Sequence, residues 1–310
     1  MSAARRERIG VGAMIRAGGR TASHYTGTVL GVFVVQALLA GAAGFGIAQV
    51  LGSEFAKRPR FDEAVSGDLT ALVECIKHAP AAFKASFWIG VAAVLLWVVA
   101  SWFLVGGVYA VAHERPEGKR ETARCFGAGG ASTFLVYVRL AVLASVLHLV
   151  VMVALVLGLG AAAERMTHAL TLPGLLIPLL VGLLPAIVIG VYVWTAIDYA
   201  RAELTVRRPT HDELGAFRAL VRALVFVARR PVALGHAALG WLVFVVVTLG
   251  YVWAAQGHAM LGTGGAIALL VIRLGLSLVR FGVKFTVLAG QIELTETRPP
   301  PARRVVEQES

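Results

Sequence analysis

The long apolar runs that dominate this chain hold no aspartate or glutamate except Asp198 at the end of one. Charged residues are only 15% of the sequence, and cysteine occurs twice. The missing acids exclude a carboxylate pair for proton transfer inside a membrane. Two cysteines, with no Cys or His at metal-ligand spacing, exclude a disulfide framework and a structural zinc site. There is no Gly-rich phosphate loop, no G-x-S-x-G and no H-E-x-x-H, so neither an enzyme, a catalytic residue nor a cofactor is expected. His113-Glu114-Arg115 and Asp198-Tyr199-Ala200-Arg201-Ala202-Glu203 do set acids beside bases. Both stand at the ends of apolar runs, where such pairs anchor helices.

What is present is mostly hydrocarbon. Hydrophobic residues are 58% of the 310 and the mean hydropathy is +0.76, outside the range of a water-soluble domain. Six runs, Gly27 to Leu51, Phe87 to Ala112, Phe134 to Leu159, Leu172 to Tyr199, Val232 to Ala254 and Gly262 to Ile292, are each long enough to cross about 30 Å of hydrocarbon at about 1.5 Å per residue. Strand-like alternation is absent, and backbone in lipid must satisfy its own hydrogen bonds, so the runs are read as helices. The expected fold is an all-α polytopic membrane bundle of six transmembrane helices plus short interfacial amphipathic helices. It forms one integral membrane domain over residues 1–297, with a flexible cytosolic tail over 298–310. Arg5, Arg6 and Arg8 precede the first run, but that run exceeds the roughly 7–15 residues of a cleaved leader's core and is read as a retained anchor.

Lys and Arg are distributed unevenly. Residues 1–26, the 113–133 and 200–231 connections and the segment after 292 hold 19 of them, against 6 in residues 52–86, 160–171 and 255–261. The positive-inside bias then places both termini in the cytoplasm. The formal net charge of +11 is accounted for by an anionic inner leaflet, worth on the order of 1 kcal/mol per nearby basic residue. The partners expected are the lipid bilayer, its anionic headgroups, and a membrane or cytosolic protein; nucleic acid is not expected. In that topology Cys75 and Cys125 stand on opposite sides and cannot bridge.

A repeat organises the chain. Phe126-Gly127-Ala128-Gly129-Gly130 before the third run echoes Ile15-Arg16-Ala17-Gly18-Gly19 before the first, and Val227-Ala228-Arg229-Arg230-Pro231 stands before the fifth. Gly107-Val108-Tyr109 and Gly190-Val191-Tyr192 recur near the ends of the second and fourth. Three parallel copies of interfacial helix, span, loop and span are the expected description. The best-marked interfacial helix is predicted over Thr210 to Arg230, with Thr210 and Glu213 at capping-box spacing and Leu214, Phe217, Val221, Leu224, Val225 and Ala228 on one face. Pro178 and Pro185 mark kinks in the fourth run, Arg139 is shallow enough to snorkel, and His236 is expected at the interface.

The sixth run carries the costly placement. Arg273, Ser277, Arg280 and Lys284 are spaced 4, 3 and 4 apart and so share one helix face. Arg273 falls about 16 Å along the run, where a bare guanidinium costs at least about 2.5–3.5 kcal/mol. Two readings stand open. In one, Gln36, Ser145 and His148, at similar heights, form with Ser277 a polar clamp around Arg273, while Asp198 pairs with Lys284. In the other, Arg273, Arg280 and Lys284 line an inward-facing cavity for an anionic ligand or lipid.

Asp198-Tyr199-Ala200-Arg201, the Arg-rich stretch after it, and Arg280-Phe281 leading to Gly290-Gln291 resemble uncharacterised six-span bacterial inner-membrane proteins. More distantly, they resemble the membrane domain attached to some bacterial glycerophosphodiester phosphodiesterases. The resemblance spans residues 87–294 and implies a bacterial inner (plasma) membrane location and no established activity, since the phosphodiesterase catalytic domain is absent. The function expected is a non-catalytic multipass module organising lipid or partner proteins. The alternative is a transporter or lipid-handling protein with a basic inward-facing cavity.

Overall fold

The computed structural model describes residues 10–55, 63, 69–166, 172–207, 215–255 and 262–297. Among them are nine helices and no strand: α1 (Val11–His24), α2 (Thr26–Phe55), α3 (Leu69–His78), α4 (Pro80–Glu114), α5 (Lys119–Met166), α6 (Leu172–Arg207), α7 (Gly215–Arg229), α8 (Pro231–Ala255) and α9 (Gly262–Glu296). The protein is an all-α helical membrane bundle. Five helices, α2, α4, α5, α6 and α8, are long and apolar enough to cross a bilayer. The sixth expected span, α9, is a helix of 35 residues that carries Arg273, Arg280 and Lys284. Exposed Leu135, Leu149, Leu157, Leu180, Val246 and Leu249 form apolar surface of a kind that water-soluble monomers rarely present.

The described residues divide into two compact units, residues 30–104 and the remainder. In the first, α3 buries Cys75, with Ala79 and Ala82 beyond its end, against Val50, Leu51 and Phe83. Lys77 and His78 stand at the negative end of the α3 dipole, and Pro80 opens α4 at a position where its missing N–H costs nothing.

The larger unit contains helices longer than a bilayer is thick. Helix α5 has 48 residues, roughly 72 Å at about 1.5 Å per residue and more than twice the hydrocarbon thickness. The interfacial stretch expected before the third span is therefore not a separate helix but the first turns of α5. Helix α6, with 36 residues, and α9, with 35, also exceed the bilayer, and their surplus ends at the same side. There the unit packs its core: Met14, Tyr109, Tyr137, Leu140, Val227, Gln291 and Ile292 are all nearly inaccessible.

Three close approaches explain how this end is assembled, and all use glycine. A Cβ on Gly18 of α1 would overlap the Thr286 carbonyl of α9. One on Gly129 of α5 would overlap Ala110 of α4, and one on Gly106 would overlap the Thr133 hydroxyl. The third basic helix, α7, docks on α6, where Tyr192 donates to the Leu224 carbonyl at 2.8 Å and Phe226 meets Tyr199 with ring centres 5.1 Å apart. Each helix in the interfacial position thus packs on the span preceding it, and α1 packs on the last, α9. Without a hydrophobic drive between helices in lipid, such small-residue contacts bring backbones close enough for dispersion to hold them.

The turn from α4 to α5 is the strained point. Arg115 has a φ of 50° and Gly118 one of 83°, left-handed values that a non-glycine residue adopts at a cost. Pro116 forbids the helix from continuing. Arg115 is held there by its guanidinium, which donates to Glu293 at 2.8 Å. The Tyr25 hydroxyl donates to the Pro116 carbonyl at 3.1 Å from the junction of α1 and α2. Burial raises the Tyr25 phenol above its ordinary range, with nearby Arg115 opposing.

Candidate functional site

The candidate site is the packed end of the larger unit, and the terminal turns of α6 run through its middle. Tyr109 of α4, fully buried, has its hydroxyl 3.0 Å from the Asp198 carbonyl and 3.0 Å from the Gln291 side-chain oxygen. One phenolic hydrogen cannot serve both. With the Gln291 amide turned over, its NH2, which otherwise has no partner among the described residues, donates to the phenol, and the phenol donates to Asp198. Tyr137 of α5 exchanges a 2.7 Å hydrogen bond with Thr205, while both hydroxyls reach the Arg201 carbonyl. Tyrosines from α4 and α5 therefore grip successive turns of one helix. The Gly-Val-Tyr recurrence is the sequence trace of this: Tyr109 and Tyr192 both donate to a carbonyl on another helix. A third member, Gly282-Val283-Lys284, escaped the sequence reading because its last residue is lysine.

The ion pairs differ from expectation. Asp198 pairs with Arg201 at 3.1 Å rather than with Lys284, which stands within electrostatic reach but makes no contact. The short aspartate carboxylate finds a cation one turn along its own helix at lower entropic cost than one on a neighbouring helix. A second acid, Glu203, is 2% exposed and lies 3.0 Å from Arg222 of α7 and 3.8 Å from Arg207. Sequence reasoning named Glu203 and had no means of joining it to Arg222.

The polar clamp does not form as expected. Ser145 donates to Val142 at 2.6 Å, and the His148 ring bonds the Ala144 carbonyl at 2.8 Å, both within α5. Short polar side chains on a helix reach the carbonyl three or four residues back more readily than a neighbouring helix. Arg273 is exposed and has no hydrogen bond or ion pair among the described residues, nor does Ser277; Gln36 belongs to the other unit. Arg280 lays its guanidinium over the Phe244 ring, 3.7 Å from its centre, a cation–π contact that partly offsets the missing anion. Behind it runs an aromatic row, Phe244, Trp241, Trp194 and His148, with neighbouring ring centres 5.6, 6.1 and 5.4 Å apart. Arg280 thus faces aromatic rings, and Arg273 and Lys284 are exposed; the cavity-lining arrangement is not seen among the described residues.

No family model, curated protein or solved structure matches the chain. The site is therefore read from its chemistry alone. Among the described residues no three His, Cys, Asp or Glu converge on a common point. Cys125 donates to Glu114 at 3.4 Å, and neither cysteine forms a disulfide. His236, expected at the interface, is 1% exposed and packs against Gly290.

Helix α7 also departs from expectation. Its predicted start, with Thr210, Asp212 and Glu213, lies outside the described residues. The face it buries is Ala216, Ala219, Leu220, Ala223, Phe226 and Val227, whereas the predicted apolar face keeps Phe217, Val221 and Val225 exposed. Small alanines allow close docking on α6, so packing selects that side and leaves the bulkier one outward. Glu203→Gln is expected to loosen this docking by about 1 kcal/mol, the scale of an ion pair with a partly hydrated Arg. Faster proteolysis within residues 208–230 of the purified protein, with the rest protected, would show it; an unchanged pattern would refute it.

Proposed function

We propose that the protein is a non-catalytic multipass membrane module whose basic end organises anionic lipid, with both termini cytoplasmic in a bacterial inner membrane. The observation that carries this reading is α7: an exposed Phe217, Val221 and Val225 face flanked by Arg218, Arg222, Arg229 and Arg230, docked firmly on the packed end of the bundle. A helix with apolar residues on one side and Arg beside them lies in the headgroup plane, its Arg side chains reaching phosphate. The charge asymmetry of the connections supports the orientation. The Arg280 contact with Phe244 favours a structural over a transport role for α9.

The test is reconstitution into nanodiscs of mixed phosphatidylglycerol and phosphatidylcholine, followed by lipid analysis of the boundary shell. Enrichment of the anionic lipid is expected, shrinking as salt shortens the Debye length from about 10 Å at 0.1 M. A shell with the bulk composition at low salt would overturn the proposal.

A further inference from the structure

We infer that α7 carries a discrete phospholipid site, in which Arg222, Arg229 and Arg230 hold the phosphate of an anionic lipid and Val221, Val225 and Phe226 receive its acyl chain; the inference rests on the lipid-organising reading above. These six residues line an open groove of about 310 Å³. Three of them are cations, and no acidic residue lines it. The rim and floor are built rather than incidental. Arg222 is fixed from behind by buried Glu203 at 3.0 Å. Arg230 is spread over the Phe226 ring at 5.2 Å, and Phe226 in turn is seated on Tyr199 at 5.1 Å. Arg222 and Arg229 are seven residues apart, two turns along one side of the helix, and Arg230 stands next to Arg229 with its guanidinium over Phe226. A planar guanidinium presents paired N–H donors matched to phosphate oxygens. Two such groups with an adjoining apolar floor fit a lipid phosphodiester better than a soluble anion, which has no use for Val221 and Val225.

A second groove on the neighbouring side, lined by Glu203, Arg207, Arg218 and Arg222 among others, contains the carboxylate itself. Its charge is already answered, and the phosphate is assigned to the Arg229 side.

The experiment uses the full-length protein in detergent, titrated with phosphatidylglycerol or phosphatidylcholine and read by native mass spectrometry. Arg229→Ala with Arg230→Ala should weaken retention of phosphatidylglycerol about tenfold to thirtyfold, as expected for two headgroup-facing cations. Arg120→Ala with Arg124→Ala, an equal charge change at the start of α5, should alter it less than about threefold by the same reasoning. Val225→Glu, at an exposed position that folding tolerates, should abolish the preference by placing a carboxylate in the groove. Inorganic phosphate should not displace the lipid; if it does, the site is one for a soluble anion and the inference fails. Equal losses from the two Arg pairs would show diffuse attraction and also overturn it. Wild-type protein without any preference would remove both the site and the lipid-organising reading. A wild-type preference untouched by Arg229→Ala with Arg230→Ala and by Val225→Glu would remove the site alone.

Discussion

Tyr109→Ala is expected to destabilise the protein by about 3–5 kcal/mol, the range for emptying a fully buried aromatic site, and Tyr109→Phe by about 1–3 kcal/mol. The ring fills the space between α4, α6 and α9, and the hydroxyl alone links the Asp198 carbonyl to Gln291. Removing the ring leaves a cavity that three stiff helices cannot close. Removing only the hydroxyl leaves Gln291, itself fully buried, without its partner. The cost is then desolvation of an amide that has no water to turn to. Replacing both members should recover most of the loss, because an apolar pair of similar shape carries no unsatisfied group. Thermal unfolding in detergent of Tyr109→Phe, Gln291→Met and the double variant gives the coupling directly. A double variant as unstable as the sum of the single ones would mean that the hydrogen bond has no energetic weight.

Gly158→Leu is expected to yield little or no monodisperse protein, and Gly158→Ala to lower the melting temperature by about 3–10 °C, from overpacking of roughly 1–3 kcal/mol. Helices α5 and α6 cross at Gly158 and Gly182, where a Cβ on either would overlap the other's carbonyl oxygen. The contact admits no side chain at all. Pro178 and Pro185 flank the crossing on α6, and a helix interrupted on both sides of Gly182 bends toward its neighbour more easily than a regular one. Since the first methyl already forces the helices apart, Gly182→Ala added to Gly158→Ala should cost much less than it does alone. Strict additivity, or melting temperatures unchanged in the single variants, would show that the crossing does not hold the pair. Gly160, where a Cβ would meet nothing within 4 Å, is the control: Gly160→Ala should be neutral or stabilising.

The two glycines show how far the sequence could be read. A chain with 34 glycines offers many candidates for close helix contact, and composition does not say which two will meet. The recurrence that singled out Gly18 and Gly129 rested on position relative to the spans. The structure gives those glycines matching tasks, α1 against α9 and the start of α5 against α4. The polar clamp failed for a related reason. Depth along a helix follows from counting residues, but direction around it does not. Ser145 and His148 stand at suitable heights and spend their hydrogen bonds on their own helix.

Helix α7 is the intermediate case. Its existence and its end at Arg230-Pro231 were readable from spacing, yet the buried face was not. Two apolar stripes compete on it, and the one carrying Ala219 and Ala223 wins the protein contact because those residues permit closer approach to α6.

By itself the sequence determined the apolar character of this protein's surface, its helical class, the position of its long runs and the uneven spread of cations over its connections. Those properties are sums over neighbouring residues, and hydropathy and helical period are local quantities. Only the tertiary structure decided that Asp198 takes Arg201 instead of Lys284, that Glu203 anchors Arg222, and that Tyr109 and Gln291 meet across 182 positions. A pairing depends on the rotation and crossing of two helices, which side-chain volumes at distant contacts fix together and no single segment encodes.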